Sequence, residues 1–148
     1  MTDTAIPLKR RPLTTDEELR ALLELLTQRA NRRQMWLLFI DDRGCLGDPI
    51  MPMADYPRDP HTRTTAEDLG EVTEAGLLMQ RAGLLCGLTG NVEIVLMWER
   101  VGSRLLRTED RAWAAAMHRA AVDFGVTLRA QFLLHSGGVR LLGPGEYL

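Results

Sequence analysis

Residues 94–99, Ile-Val-Leu-Met-Trp-Glu, decide the fold predicted for this chain. The apolar run at 94–96 is typical of a central strand that is buried on both faces. A polar loop follows, and residues 108–111 (Thr-Glu-Asp-Arg) then have the pattern of a helix start with acids in the first turn. A strand that leads through a loop into a helix is a common place for an active site. The thioether, indole and single carboxylate at 97–99 are nevertheless a weak set of catalytic groups.

Three helices are predicted from apolar residues that recur with helical spacing. The first begins at a cap of the Thr-Thr-Asp-Glu-Glu type and covers residues 15–31. The second is capped by Thr64 or Thr65 and ends near residue 83, and the glycine-containing segment 83–90 is predicted to be a loop. The third covers residues 108–124, with Gly125 placed to end it.

Strands alternate with these helices. Short apolar runs bounded by turn residues predict five strands, at 35–40, 45–53, 92–98, 128–134 and 139–142. Two prolines in the second of them favour an edge or irregular path. The order α-β-β-α-β-α-β-β predicts one domain over residues 14–148, an α/β (α+β) fold with a mixed sheet of about five strands flanked by three helices. Residues 1–13 are predicted to be a flexible N-terminus.

Composition indicates an ordinary globular protein. The 148 residues carry a net charge of −2, which favours neither nucleic acid nor an anionic membrane as partner. Lys9 is the only lysine among 18 basic residues, a usage that suggests a GC-rich bacterial genome. Cys45 and Cys86 are predicted to be free, mostly buried thiols. The chain shows no signal-peptide pattern and no apolar run of membrane-spanning length, so a cytoplasmic protein is expected.

Three segments, in their order and spacing, resemble a known family. Residues 35–44 (MWLLFIDDRG) are similar to a first core strand with an Asp-containing turn, and residues 109–126 are similar to a Ser-x-x-Asp motif with the helix behind it. Residues 128–139 are similar to a closing hairpin. Together they resemble the RadC branch of the JAB/MPN metalloprotease-like family from about residue 34 to the C-terminus. The resemblance implies a cytidine deaminase-like/JAB-type topology with an added N-terminal helix.

The resemblance also implies where a zinc site would lie. In that family two histidines of a His-x-His-Pro loop and an aspartate bind the metal, and an upstream glutamate is the general base. With the family's spacing, Asp110 matches the aspartate, and the remaining positions are taken by Met97 and Glu99 (histidines), Arg100 (proline), Arg107 (serine) and Arg33 or Gln34 (glutamate). A thioether is a weak zinc ligand, and arginines repel a dication. We therefore expect no metal, no cofactor and no zinc hydrolase.

Three functions follow as hypotheses. The first is a non-catalytic binding or scaffold module whose partner is an unidentified protein or a small anionic ligand. The second is an enzyme with a remodelled site that uses Glu99 and Asp110 as acid and base on an anionic substrate. The third, a DNA-associated protein, rests on analogy with the RadC family alone, and the acidic composition makes nucleic acid an unfavoured partner.

The candidate residues could equally have purely structural roles. An acid at the position of Asp110 is commonly a first-turn carboxylate that the helix dipole favours. Glu99 is expected to form an exposed ion pair with Arg100 or Arg104, which contributes little stability. Four cations near this loop either bind an anion or acidic partner or are simply solvated: Arg100, Arg104, Arg107 and Arg111. The leucine face of residues 19–26 packs on the core or forms a homodimer.

Overall fold

The computed structural model describes residues 10–148, so the prediction for residues 1–9 lies outside the described part of the chain. Its helices are α1 (Asp16–Leu26), α2 (Glu74–Leu88) and α3 (Thr108–Phe124). Its strands are β1 (Gln34–Asp41), β2 (Met51–Met53), β3 (Arg63–Ala66), β4 (Gly70–Thr73), β5 (Asn91–Glu99), β6 (Leu128–His135) and β7 (Gly138–Leu142). A 3-10 turn, Pro144–Glu146, follows. The predicted α+β class with three helices is confirmed.

Five of the strands form one mixed sheet in the order β2-β1-β5-β6-β7, and β3 pairs with β4 in a separate hairpin. Strands β5 and β6 are parallel, and the other neighbours in the sheet are antiparallel. Helix α3 connects the two parallel strands. Their carboxyl ends therefore meet at one edge of the sheet, beside the start of α3, which is where open α/β sheets commonly bind ligands.

The central strand β5 is buried on both faces, as its apolar run predicts. Ile94, Leu96 and Trp98 pack with α2 and α3 in one apolar cluster. Val95 and Met97 point to the opposite face and pack with the leucines of α1. The sheet thus lies between one layer of two helices and a second layer of one helix, which fixes the direction in which each residue at the end of β5 points.

The second helix was predicted to begin about nine residues too early. Thr64 and Thr65, the predicted caps, lie in β3, and Gly70 opens β4 with a positive φ of 72° that a β-branched residue would not tolerate. The hydroxyl of Thr73 is the actual cap and accepts the Gly76 N–H at 3.0 Å. The β3–β4 hairpin therefore occupies the segment that the apolar spacing of Leu69 and Val72 had assigned to the helix.

The loop predicted at residues 83–90 is wrong for most of its length, because α2 continues to Leu88. Gly83 permits a close packing contact, since a Cβ there would come within 2.6 Å of the Val126 side chain. The helix ends where the Thr89 hydroxyl donates to the Leu85 carbonyl and Gly90 adopts a φ of 76°. Gly83 is therefore a packing position within α2, and Gly90 marks the place where the chain leaves the helix.

Three further bounds differ from the prediction. Helix α1 stops at Leu26 rather than near residue 31, because Thr27 is extended and its hydroxyl donates to the Leu23 carbonyl. The predicted strand 45–53 is regular only at β2, an edge strand, as its prolines favour. Leu13 is buried and its N–H donates to the Gly44 carbonyl at 2.8 Å, so the predicted flexible N-terminus does not extend that far.

The leucine face of α1 is covered by the chain's own sheet. Leu19, Leu22 and Leu23 are buried, whereas Leu25 is 70% exposed. The interpretation of that face as a homodimer surface is therefore wrong for the three buried leucines.

Replacing Leu23 by Ala should lower the free energy of unfolding by about 2–5 kcal/mol, because the side chain is fully buried against the sheet. The matched change Leu25→Ala should alter it by less than about 0.5 kcal/mol. Urea unfolding measured at two protein concentrations checks both values. Equal losses for the two variants, or a midpoint that rises with concentration, would show that α1 is stabilised by a second copy.

Candidate functional site

A cavity of about 360 Å³ opens where β5 ends and α3 begins. Its lining comes from the segment before β1, the loop before β3, the end of β5 with the following loop, and the first turns of α3. The lining residues are Arg32, Arg33, Tyr56, Arg58, Trp98, Glu99, Arg100, Val101, Arg107, Glu109, Asp110 and Trp113. The strand–loop–helix stretch that the sequence indicated as the place for a site therefore does border a cavity.

Arg100 and Asp110 form a buried ion pair in the cavity wall. Arg100 Nη2 donates to Asp110 Oδ2 at 2.8 Å and Nε donates to the same oxygen at 3.1 Å, and each side chain is only 10% exposed. The guanidinium also donates to the carbonyls of Ser103 and Leu105, both at 2.8 Å. Asp110 accepts the Arg107 N–H at 2.8 Å, so it stabilises the first turn of α3 as an N3 acid does.

Glu99 is buried and is satisfied by neutral donors. Its Oε1 accepts Gln34 Nε2 at 2.8 Å and Trp36 Nε1 at 2.9 Å, and its Oε2 accepts the Asn31 N–H at 2.9 Å. The predicted exposed ion pair of Glu99 with Arg100 or Arg104 is therefore wrong. The end of β5 is buried by the segment that precedes β1, which the sequence pattern of β5 alone does not reveal.

The hydrogen bonds of Glu99 keep it ionised. Burial by itself raises the pKa of this carboxyl group, but the donors from Gln34, Asn31 and Trp36 favour the charged form and outweigh burial. The net effect is a pKa below the usual 4.5. A general acid or base works best with a pKa near the working pH, so Glu99 is poorly matched to proton transfer near neutrality.

The third carboxylate, Glu109, is held by two arginines. Arg33 Nε donates to it at 2.7 Å, and the exposed Arg58 donates at 3.2 Å. Arg33 also donates to the Tyr56 and Pro57 carbonyls, and its guanidinium carbon lies 3.8 Å from the centre of the Tyr56 ring. This arrangement fixes the loop before β3 over the side of the cavity.

Three aromatic rings form the apolar wall of the cavity. The Tyr56 ring centre lies 5.8 Å from that of Trp98 and 5.2 Å from that of Trp113, in edge-to-face contacts. Trp98 Nε1 donates to Gln131 Oε1 at 2.8 Å, and Trp113 Nε1 donates to the Pro57 carbonyl at 3.0 Å. Burial raises the pKa of Tyr56 to about 12, so its hydroxyl group stays neutral near pH 7.

The structure brings together only part of the predicted site. Glu99, Arg100, Arg107 and Asp110 line the cavity, whereas Arg104 and Arg111 do not. Met97, at the first histidine position of the resemblance, is fully buried with the α1 face of the core. Arg33, one of the two residues that the resemblance places at the general-base position, also lines the cavity. The prediction missed three lining residues that lie far from this loop in sequence: Arg32, Tyr56 and Arg58. The contact of Arg33 with Tyr56, 23 residues further along the chain, brings the loop before β3 to the cavity and could not be predicted from local sequence.

Other reactive side chains lie apart from the cavity. Within residues 10–148, no group of three or more His, Cys, Asp or Glu residues could hold a metal ion. His118 packs near Tyr147, and Nδ1 of His135 accepts the Gly137 N–H. Cys45 and Cys86 are free and buried as predicted, and burial raises the pKa of both thiols, which disfavours a nucleophilic thiolate.

Comparisons with known proteins do not identify a family. The sequence matches no protein-family model and no curated protein. Among the described residues, no helix has both the length and the apolar character needed to cross a membrane.

The Glu99→Gln variant should be less stable than the native chain by about 1.5–3 kcal/mol at neutral pH, because the amide has only one accepting oxygen and its NH2 would face a donor that the carboxylate now satisfies. Since the folded-state pKa lies below 4.5, the carboxylate contributes its full stabilisation above that pH and loses it as the pH falls through the folded-state value. The stability difference should therefore shrink in acid. Chemical unfolding as a function of pH measures it, with the exposed Glu67→Gln as control. A difference that is independent of pH would contradict the assignment.

Replacing Arg100 by Met should lower the free energy of unfolding by about 3–5 kcal/mol, because the Asp110 carboxylate would remain buried without its cation. The double variant Arg100→Met/Asp110→Asn should lose less than the sum of the single variants, since removing both partners leaves no unpaired charge. Urea unfolding of the four proteins gives the coupling energy. The exposed pair Arg63–Glu71 provides the control cycle, with a coupling below about 1 kcal/mol. Additive losses at Arg100 and Asp110 would rule out the pair as a structural unit.

Proposed function

We propose that this protein is a non-catalytic binding module with a RadC/JAB-like fold, in which an internal arginine has replaced the catalytic dication. One observation carries the proposal: every carboxylate that lines the cavity is already occupied by donors of the chain itself. Asp110 binds Arg100, Glu109 binds two arginines, and Glu99 accepts three neutral donors. A metal ion would have to displace these donors to gain its ligands.

The positions given by the resemblance support the loss of zinc. Asp110 is the only matching ligand, and the positive guanidinium of Arg100 lies 2.8 Å from its oxygen, where it neutralises the charge that would attract a cation. Met97 is enclosed in the core on the α1 side. Glu99 is held by Gln34, one of the two residues near the family's general base. Three ligands and an open water position, which a catalytic zinc site needs, are not available among these residues.

The same contacts weigh against the alternative of a remodelled enzyme. Glu99 and Asp110 both line the cavity, as that hypothesis requires. Each is nevertheless fixed by at least three hydrogen bonds, and the pKa of Glu99 is lowered rather than raised toward neutrality. A proton-transfer group must change its charge during the reaction, and that change would break the contacts that hold the site together.

The metal content of the native chain tests the proposal. Protein purified without chelator and then dialysed against zinc should contain far less than one zinc ion per chain, because Asp110 is paired with Arg100. Elemental analysis of the dialysed protein gives the ratio, and Asp110→Asn should not change it.

One zinc ion per chain that disappears in Asp110→Asn, together with peptidase or isopeptidase turnover of the native protein, would overturn the proposal. A zinc-binding JAB-type hydrolase assayed in parallel shows that the dialysis and the turnover assay detect a functional metal site.

A further inference from the structure

Two arginines of the cavity have no acidic partner. Arg32 is exposed at the rim, and Arg107 makes a single side-chain bond, 3.3 Å long, to the Val101 carbonyl. No carboxylate within the described range 10–148 forms an ion pair with either side chain. They differ in this from Arg33 and Arg100, whose donors are largely used by the protein itself. The cavity therefore presents two guanidinium groups with unused donors.

The charge of the lining has the opposite sign to the charge of the chain. Five arginines and three carboxylates border the cavity, which gives a net charge of +2, whereas the whole chain carries −2. The cavity also lies at the N-terminus of the 17-residue α3, the positive end of its dipole. A concave site with this concentration of positive charge attracts a small anion, and unpaired guanidinium groups bind phosphate oxygens in a bidentate way.

The cavity is larger and more apolar than a site for a bare inorganic anion. Its volume of about 360 Å³ is within the usual range for small-molecule pockets. The half-buried Tyr56 ring and the edge of Trp98, which is 4% exposed, are apolar parts of the lining, and Val101 is exposed at the mouth. Such a wall favours a ligand whose body is a flat ring, because an apolar ring gains by leaving water and by aromatic contact.

We infer that the cavity binds a small phosphate monoester that carries one aromatic ring, with the phosphate between Arg32 and Arg107 and the ring against Tyr56 and Trp98. The two negative charges of the phosphate match the +2 of the lining. This inference rests on the proposed function, since a metal-dependent hydrolase would use the same cavity differently. It also changes the arginine cluster that the sequence predicted as an anion site. Arg107 contacts the phosphate, whereas Arg104 and Arg111 lie outside the cavity, and Arg32 is added from the segment before β1.

Titration with phenyl phosphate tests the inference. Trp98 and Trp113 line the cavity, so binding should change tryptophan fluorescence in a saturable way, and calorimetry should give one site per chain. Inorganic phosphate should bind at least about tenfold more weakly because it lacks the ring, and phenol should show no saturation because it lacks the charge.

Substitutions at the two unpaired arginines identify the site. Arg32→Gln and Arg107→Gln should each weaken phenyl phosphate binding by about tenfold or more, the usual effect of losing a charge-assisted bond. Arg111→Gln is the matched control, because it removes the same exposed charge one turn further along α3 and does not line the cavity. The affinity of Arg111→Gln for phenyl phosphate should remain within about twofold of the affinity of the native chain.

The outcomes separate this inference from the proposed function. Equal weakening in Arg111→Gln, equal affinity for inorganic phosphate, or no saturable binding by the zinc-free native chain would overturn the inference and leave the binding-module proposal in place. Stoichiometric zinc with turnover of phenyl phosphate or of a peptide would overturn the proposed function, and with it the premise of the inference.

Discussion

The ion pair of Arg100 and Asp110 is the contact on which this end of the molecule depends. It joins three segments, because Arg100 follows β5, Asp110 lies in the first turn of α3, and the same guanidinium binds the Ser103 and Leu105 carbonyls of the loop between them. The loop is also tied to the end of β6, where Ser136 and Gly102 exchange two hydrogen bonds of 2.9 Å. One buried cation thus shapes the mouth of the cavity, since without it Asp110 would keep only the Arg107 N–H as a donor and the Ser103 and Leu105 carbonyls would lose the guanidinium.

The three carboxylates of the cavity are stabilised in three different ways, and the differences decide which arginine donors remain for a ligand. Asp110 forms an ion pair with Arg100, and Glu109 forms ion pairs with both Arg33 and Arg58. Glu99 takes none and relies on the dipoles of an amide, an indole and a backbone N–H. Because Glu99 is satisfied by neutral donors, it uses none of the guanidinium donors of Arg32 and Arg107. The neutral donors around Glu99 are therefore part of the reason that these two arginines keep unused donors.

The sequence predicts the layers of this fold well and its site only in part. The run at 94–99 predicts a doubly buried strand because a short, continuous apolar segment is typical of a strand covered on both faces, and the helix start at Thr108 follows from local capping chemistry. The β3–β4 hairpin was missed because Thr64 and Thr73 carry the same local capping signal, and only tertiary packing selects between them. Glu99 was misjudged for a similar reason, since its donors lie 63 to 68 residues away along the chain.

A fixed set of charges favours binding over turnover. A catalytic carboxylate must exchange protons or ligands, which requires a free lone pair and a pKa close to the working pH. The oxygens of all three acids already accept hydrogen bonds from the surrounding chain, and the pKa of Glu99 is lowered rather than raised. The fixed acids and their arginines also hold Tyr56 and the loop before β3 in place before any ligand arrives. A site that is ordered in advance loses less entropy on association, so the contacts that disfavour catalysis also support the small-anion binding that we propose.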